Sequence, residues 1–194
     1  WVHCEGISSI TAEDAQYAES WGGAVKLIGS VKRTADGKIL PIVRPAFVCG
    51  ANQLSSVNDV FNGIMVYGDA IDQVMFYGRG AGKFPTASAI VADLIDAAKM
   101  KGTSISQVWE DSKDNSFIAD YKEDVLPFYV RVQGVSKDKA KEVFGEVEFL
   151  TRENCPADEI AFITPEIKEK DFDEKLTQLG GKVLGKIRVL NLES

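Results

Sequence analysis

The chain is 194 residues long, 45% hydrophobic and 26% charged, with a net charge of −7, a balance that fits a folded soluble protein and excludes a disordered one. Its acidity, with no clustered run of Lys and Arg, excludes nucleic acid and anionic membrane as primary partners, because both are recognised first through basic patches. Three scattered cysteines, Cys4, Cys49 and Cys155, and a single histidine, His3, supply neither a disulfide frame nor a zinc site, so a metal-free protein of the reducing cytoplasm is expected.

The length suits two small units. The chain opens at Trp1, and Val2, Cys4 and Ile7 alternate loosely with polar residues as if a strand were already under way, which reads as an internal start. Thr11, followed three residues on by Asp14, has the form of a helix cap, and a helix to about Trp21 is predicted, closed by Gly22 and Gly23. Val25, Leu27 and Val31 then alternate with Lys26, Ser30 and Lys32, the period of a strand with one wet face. Thr34 to Lys38 is a turn by composition, and 39–44 returns as the partner strand of a hairpin, with Pro41 limiting its pairing on one side. A second strand pair, 64–67 and 73–77, surrounds Gly68, Asp69 and Ala70. From Pro85 onward, Ala87, Ile90, Val91, Leu94 and Ala98 recur at helical spacing to about Met100, an apolar stripe that a sheet could cover. Residues 1–104 are therefore expected to be an α+β unit, a mixed sheet with helices on one face.

The pattern weakens over 105–124, which reads as a linker whose aromatic residues Trp109 and Phe117 pack on something. Residues 125–194 then give the order βαββαβ, with strands at 128–132, 147–150, 160–163 and 183–190 and helices at 137–144 and 172–179. That order is the one of a ferredoxin-like sandwich.

The stretch Tyr77-Gly78-Arg79-Gly80-Ala81-Gly82-Lys83-Phe84-Pro85-Thr86 places three alternating glycines between a strand and a helix start. Such a loop lets a ligand approach the backbone and offers helix N-terminal amides to an anion. The same glycines equally serve only to turn the chain. The G-x-G-x-G spacing is not the dinucleotide fingerprint. No pairing of nucleophile and base is readable, so no catalytic residue is assigned. His3 reads as incidental, Asp69 and Asp72 as turn formers, Glu5 as structural and Lys83 as a solvent-facing cation.

Three ordered segments resemble the later part of the homoserine dehydrogenase catalytic region. They are Val2-His3-Cys4-Glu5-Gly6-Ile7-Ser8-Ser9-Ile10-Thr11 with Asp14, then Ala24-Val25-Lys26-Leu27-Ile28-Gly29, and the stretch from Gly78 to Asp93. Pro45-Ala46-Phe47 and the stretch from Leu54 to Asn62 resemble the family between them. Lys83 and Arg44 depart from the family's usual glycine and histidine. The resemblance implies NAD(P)-dependent interconversion of L-aspartate 4-semialdehyde and L-homoserine, on the route to threonine and methionine. It implies that the Rossmann loop and the catalytic residues lie upstream, so that this chain alone is inactive and binds no cofactor by itself. It places Gly82, with Gly80 beside it, at the cofactor, and it implies a homo-oligomer formed through the strands at 24–33 and 39–44. The tail resembles an ACT domain, with Gly134-Val135-Ser136-Lys137-Asp138 at its first turn. It implies an amino-acid effector such as threonine, and as the alternative reading a threonine-sensing and dimerisation module.

Overall fold

A computed structural model describes residues 2–103 and 114–190. Val108, Trp109 and the rest of the expected linker up to residue 113 lie outside the described residues, as do the last four residues of the tail. The chain divides into two compact units, one built from the segments before Ser56 and after Lys113 and the other from the segment between them.

The first unit opens with β1 (His3–Cys4), α1 (Ala12–Ser20), β2 (Gly23–Arg33) and β3 (Ile39–Cys49). Thr11 caps α1 in a reciprocal box with Asp14, as the sequence pattern predicts. β2 and β3 pair antiparallel over their whole lengths, from Gly23 opposite Cys49 to Arg33 opposite Ile39. Pro41 and Pro45 do not break β3. They stand opposite Val31 and Leu27, in the alternate pairs of the ladder that exchange no hydrogen bonds, so the strand continues past the predicted end at Arg44.

After residue 113 come β6 (Val125–Leu126), β7 (Phe128–Gln133), α3 (Lys137–Phe144), β8 (Glu148–Leu150), β9 (Glu159–Ile163), β10 (Ile167–Lys168), α4 (Glu169–Leu179) and β11 (Lys182–Leu190); the central segment supplies β4 (Phe61–Gly68), β5 (Asp72–Arg79) and α2 (Lys83–Lys99). The tail strands run in the order β11-β7-β9-β8, all antiparallel. The sheet does not stop there. β11 also pairs parallel with β3, through Arg188 opposite Ala46 to Leu190 opposite Val48, so the expected separation of 1–104 from 125–194 gives way to one sheet shared by both ends of the chain. Phe117 and Ala119 extend this union by exchanging backbone hydrogen bonds with Ile39.

The joined sheet carries helices on both faces. Phe128, Val130, Val132 and Phe162 form a core with Ala140 and Phe144 of α3 and Phe172 and Leu179 of α4. The alternate residues Tyr129, Ala161 and Ile163 point the other way and pack with Tyr17 and Ala18 of α1 and with Phe47. Since strand side chains alternate between faces, β7 is covered on both, which is why it reads as a nearly unbroken apolar run.

The second unit is simpler. β4 and β5 form a hairpin in register from Phe61 opposite Arg79 to Gly68 opposite Asp72, closed by a turn in which Asp72 takes φ +55. In α2, Pro85 is the third residue, where a missing N–H has no intrahelical partner to lose. Ile90, Val91 and Leu94 of the predicted stripe remain exposed, as does Ile95. Among the described residues no helix is long and apolar enough to cross a membrane.

Candidate functional site

The glycine loop leaves β5 after Arg79 and enters α2 through Gly82. Its exit is held by a ring stack. Phe61 lies against Tyr77 at 4.9 Å and nearly parallel, and the Arg79 guanidinium sits 5.1 Å above the Phe61 ring. Gly82 adopts φ +121 and caps α2 without any side-chain hydrogen bond. The Thr86 amide bonds back to Gly82 O at 3.2 Å, and Pro85 has no N–H, so the amides of Lys83 and Phe84 are the first-turn donors left without an intrahelical acceptor.

The two predicted positions in this loop are glycines for different reasons. At Gly80 a Cβ would fall 1.6 Å from Asn62 Nδ2, so the Asn62 amide occupies the place of a side chain. At Gly82 the positive φ itself excludes most residues, while the nearest atoms to a Cβ would be those of the Pro85 ring, at 3.5 Å. The sequence alone does not single out Asn62 as part of the loop. The hairpin register that sets it opposite Gly78 is the signal that could have found it. Lys83 is exposed, with Nζ 5.9 Å from the Phe84 ring centroid.

The first unit carries two buried charge clusters that the sequence did not disclose. In one, the Asp14 carboxylate accepts hydrogen bonds from Thr11 N at 3.0 Å, Tyr129 Oη at 3.1 Å and Arg131 Nε at 2.9 Å. Arg131 also donates to Thr11 Oγ1 at 2.9 Å and Glu159 Oε2 at 3.3 Å. Glu159 in turn accepts from Tyr17 Oη and from Arg152. Burial, aided by the neighbouring Asp14 charge, pushes the Tyr129 phenol well above its ordinary range. This cluster joins the start of α1 to β7 and β9 of the tail.

In the other, Arg188 of β11 donates to Glu169 of α4 and, at 2.7 Å, to Glu5. His3 hydrogen-bonds Glu5 at 2.7 Å and stacks on Tyr121 with centroids 3.6 Å apart. Burial, the largest single influence, pushes the Glu5 carboxyl up, but the bonds and charges of Arg188 and His3 together outweigh it and hold the group down at about 2. Arg44 and Lys32 both pair with buried Asp124. Glu5 is thus held by Arg188 and His3, and both have partners that their positions in the sequence did not reveal.

At the first turn of the tail, Gly134 has φ +78 with open space around it and donates its N–H to Asp158 O at 2.8 Å. Ser136 caps α3. Val135 rests on Gly181, where a Cβ would come within 2.4 Å of Val135 Cγ2.

Residues 1–95 match the family model described as homoserine dehydrogenase. The homoserine dehydrogenase of Bacillus subtilis is 33% identical over 193 residues, which cover 92% of this chain and 44% of that protein. That of Synechocystis is 47% identical over 98 residues, 49% of this chain and 23% of its own length. Among solved structures, a homoserine dehydrogenase from Thiobacillus denitrificans superposes with a TM-score of 0.78 at 25% identity over 98% of this chain and 48% of that one. The S. aureus enzyme at pH 7.0 gives 0.71 at 27% identity over 97% and 47%. The chain therefore spans half or less of the length of these relatives.

Proposed function

The chain belongs to the homoserine dehydrogenase family, and we propose that it is the later part of such an enzyme. The complete protein then interconverts L-aspartate 4-semialdehyde and L-homoserine with NAD(P), in the cytoplasm, on the route to threonine and methionine. The observation that carries this reading is the family match over residues 1–95, whose closing stretch contains the uncapped glycine loop.

The residues present fit the approach of the dinucleotide. Gly82 has no side chain, and the Lys83 and Phe84 amides are unpaired first-turn donors where the helix dipole favours negative charge. These groups and Gly80 beside them are the proposed contacts. The nicotinamide cofactor, when bound, supplies the hydride acceptor for homoserine oxidation. The chain's own part is to present and orient: the Phe61, Tyr77 and Arg79 stack holds the loop, and Asn62 fills the space over Gly80. The groups that move protons are assigned to the part of the enzyme preceding this segment.

The test is a coupled pair of assays. The purified chain with homoserine and NAD+ or NADP+ is expected to give no absorbance rise from reduced cofactor. Mixing it with the separately produced first half of the Bacillus subtilis enzyme is expected to restore turnover. Turnover by this chain alone overturns the assignment of the chemistry to the missing half.

A second reading concerns the tail, and the strand order β11-β7-β9-β8 with α3 and α4 on one face favours it. In that reading the tail is an ACT-like module whose Gly134–Asp138 turn receives an amino-acid effector such as threonine. Calorimetry is expected to show saturable heat with threonine that is lost when Val135 is replaced by Glu, and silence toward threonine removes the role. The partner in either reading is a second copy of the chain, engaged through the sheet.

A further inference from the structure

Asn62 breaks the rules of its own strand. Asparagine is depleted in strands, because its short amide competes with the ladder for backbone bonds, yet Asn62 is the second residue of β4 and pairs across the hairpin with Gly78. The side chain is exposed, and among the described residues its carboxamide has no hydrogen-bond partner. Local misfits of this kind gather at functional sites.

The surroundings hold this amide in one place and leave one side of it open. On the Gly80 side a Cβ would fall 1.6 Å from Asn62 Nδ2, 2.7 Å from its Cγ and 3.5 Å from its Cβ. The whole side chain therefore lies along the bare α-carbon of the loop's middle glycine. On the Gly78 side, on the same face of the hairpin, a Cβ would meet nothing within 4 Å. A flat group has room over Gly78, beside the amide.

We infer that Asn62 is a specificity residue for the dinucleotide, its carboxamide exchanging a reciprocal pair of hydrogen bonds with the amide on the nicotinamide ring. This deepens the reading that the cofactor reaches the glycine loop and rests on it. A carboxamide donates through Nδ2 and accepts through Oδ1 at once. Two groups of the dinucleotide answer both, the nicotinamide amide and the edge of adenine. In a Rossmann part the first βαβ takes the adenosine half, and that part precedes this segment in the same reading, which leaves the nicotinamide end for the loop. Holding the amide fixes how the ring is turned. The role is one of positioning, and no proton passes through Asn62.

The test is binding by equilibrium dialysis to the complete enzyme, with this chain as its later part. Three probes are compared: the nicotinamide dinucleotide, its 3-acetylpyridine analogue, in which a methyl replaces the amide nitrogen, and its hypoxanthine analogue, which lacks the adenine amine. The unaltered enzyme should bind the acetylpyridine form roughly tenfold more weakly than the nicotinamide form, the value of one hydrogen bond with its partner left in place. Asn62→Ala should bind the nicotinamide form roughly tenfold more weakly than the unaltered enzyme does and should no longer distinguish it from the acetylpyridine form. Gly80→Ala, whose Cβ would displace the amide, should lose the same discrimination with Asn62 still present. In both variants the preference between adenine and hypoxanthine should stay as it was. A purely structural role lowers affinity for all three probes alike and keeps both ratios, so a nicotinamide-to-acetylpyridine ratio that survives Asn62→Ala overturns the contact while the cofactor reading stands. Loss of the adenine preference in its place overturns the assignment to the nicotinamide end. An unaltered enzyme that binds none of the probes overturns the cofactor reading and this contact with it.

Discussion

Replacing Asp14 by Ala removes the acceptor at the centre of the cluster that joins α1 to the tail. Asp14 is fully buried, and Arg131 is 5% exposed with its Nε on the lost carboxylate. The guanidinium keeps Glu159 at 3.3 Å and Thr11 at 2.9 Å, so it is not stranded, but it loses its shortest charged contact. Removing one partner of a buried pair costs about 3–5 kcal/mol, and loss of the cap interaction adds about 1 kcal/mol. Against a total of about 5–15 kcal/mol for a typical domain, the variant sits near the threshold of unfolding. At about 2–4 °C per kcal/mol for a chain of this size, the unfolding midpoint should fall by about 10 °C or more, read by circular dichroism. Asp14→Asn, which keeps the acceptor oxygen and loses the charge, should fall between. Adding Arg131→Met to Asp14→Ala removes the under-compensated charge and should restore part of the loss, because Glu159 keeps Arg152. A fall below about 1 kcal/mol for Asp14→Ala, or strictly additive effects in the double variant, refutes the reasoning.

Gly185→Ala should destabilise through the same cluster, since its Cβ would fall 2.5 Å from Asp14 Oδ1, with about 1–3 kcal/mol expected of such overpacking; a neutral result in urea unfolding means that β11 can shift there. Stability should also fall in acid through Glu5. Its folded carboxyl titrates at about 2 against an ordinary 4.5, so the unfolded chain takes up the proton first. The contribution is complete above about pH 4.5 and is lost as pH falls toward 2. Arg188→Met should flatten that part of the profile, and an unchanged profile counts against the pairing. Truncation after Asp124 should leave the remaining segment insoluble, because it bares the edge of β3 and the Phe47 face. A soluble, cooperatively folding 1–124 fragment contradicts the shared sheet.

Local signals were the legible part of this chain. The Thr11 and Asp14 box, the β2 strand and the tail's alternation of strands and helices all appear where the residues predict them, because each is set by neighbours within a few positions, but the wet face predicted for β2 does not, since Leu27 and Val31 are exposed. The glycine loop was legible as a place of close backbone approach, but its two glycines were not distinguishable. Only the folded hairpin shows that Gly80 makes room for Asn62, and only the loop's backbone shows that Gly82 takes a conformation of its own.

Long-range pairing was not legible. Asp14, Arg131 and Glu159 are 117 and 28 positions apart in successive steps, and a lone acid or base in sequence carries no sign of its partner. The union of β3 with β11 was equally hidden: each strand is readable from its own residues, but a strand's residues do not say which strand lies alongside. The sequence by itself determined the periodicities, caps and turns, and the segments that resemble the family. The tertiary structure alone decided that the two ends of the chain share one sheet with helices on both faces, because that choice rests on contacts between residues more than a hundred positions apart.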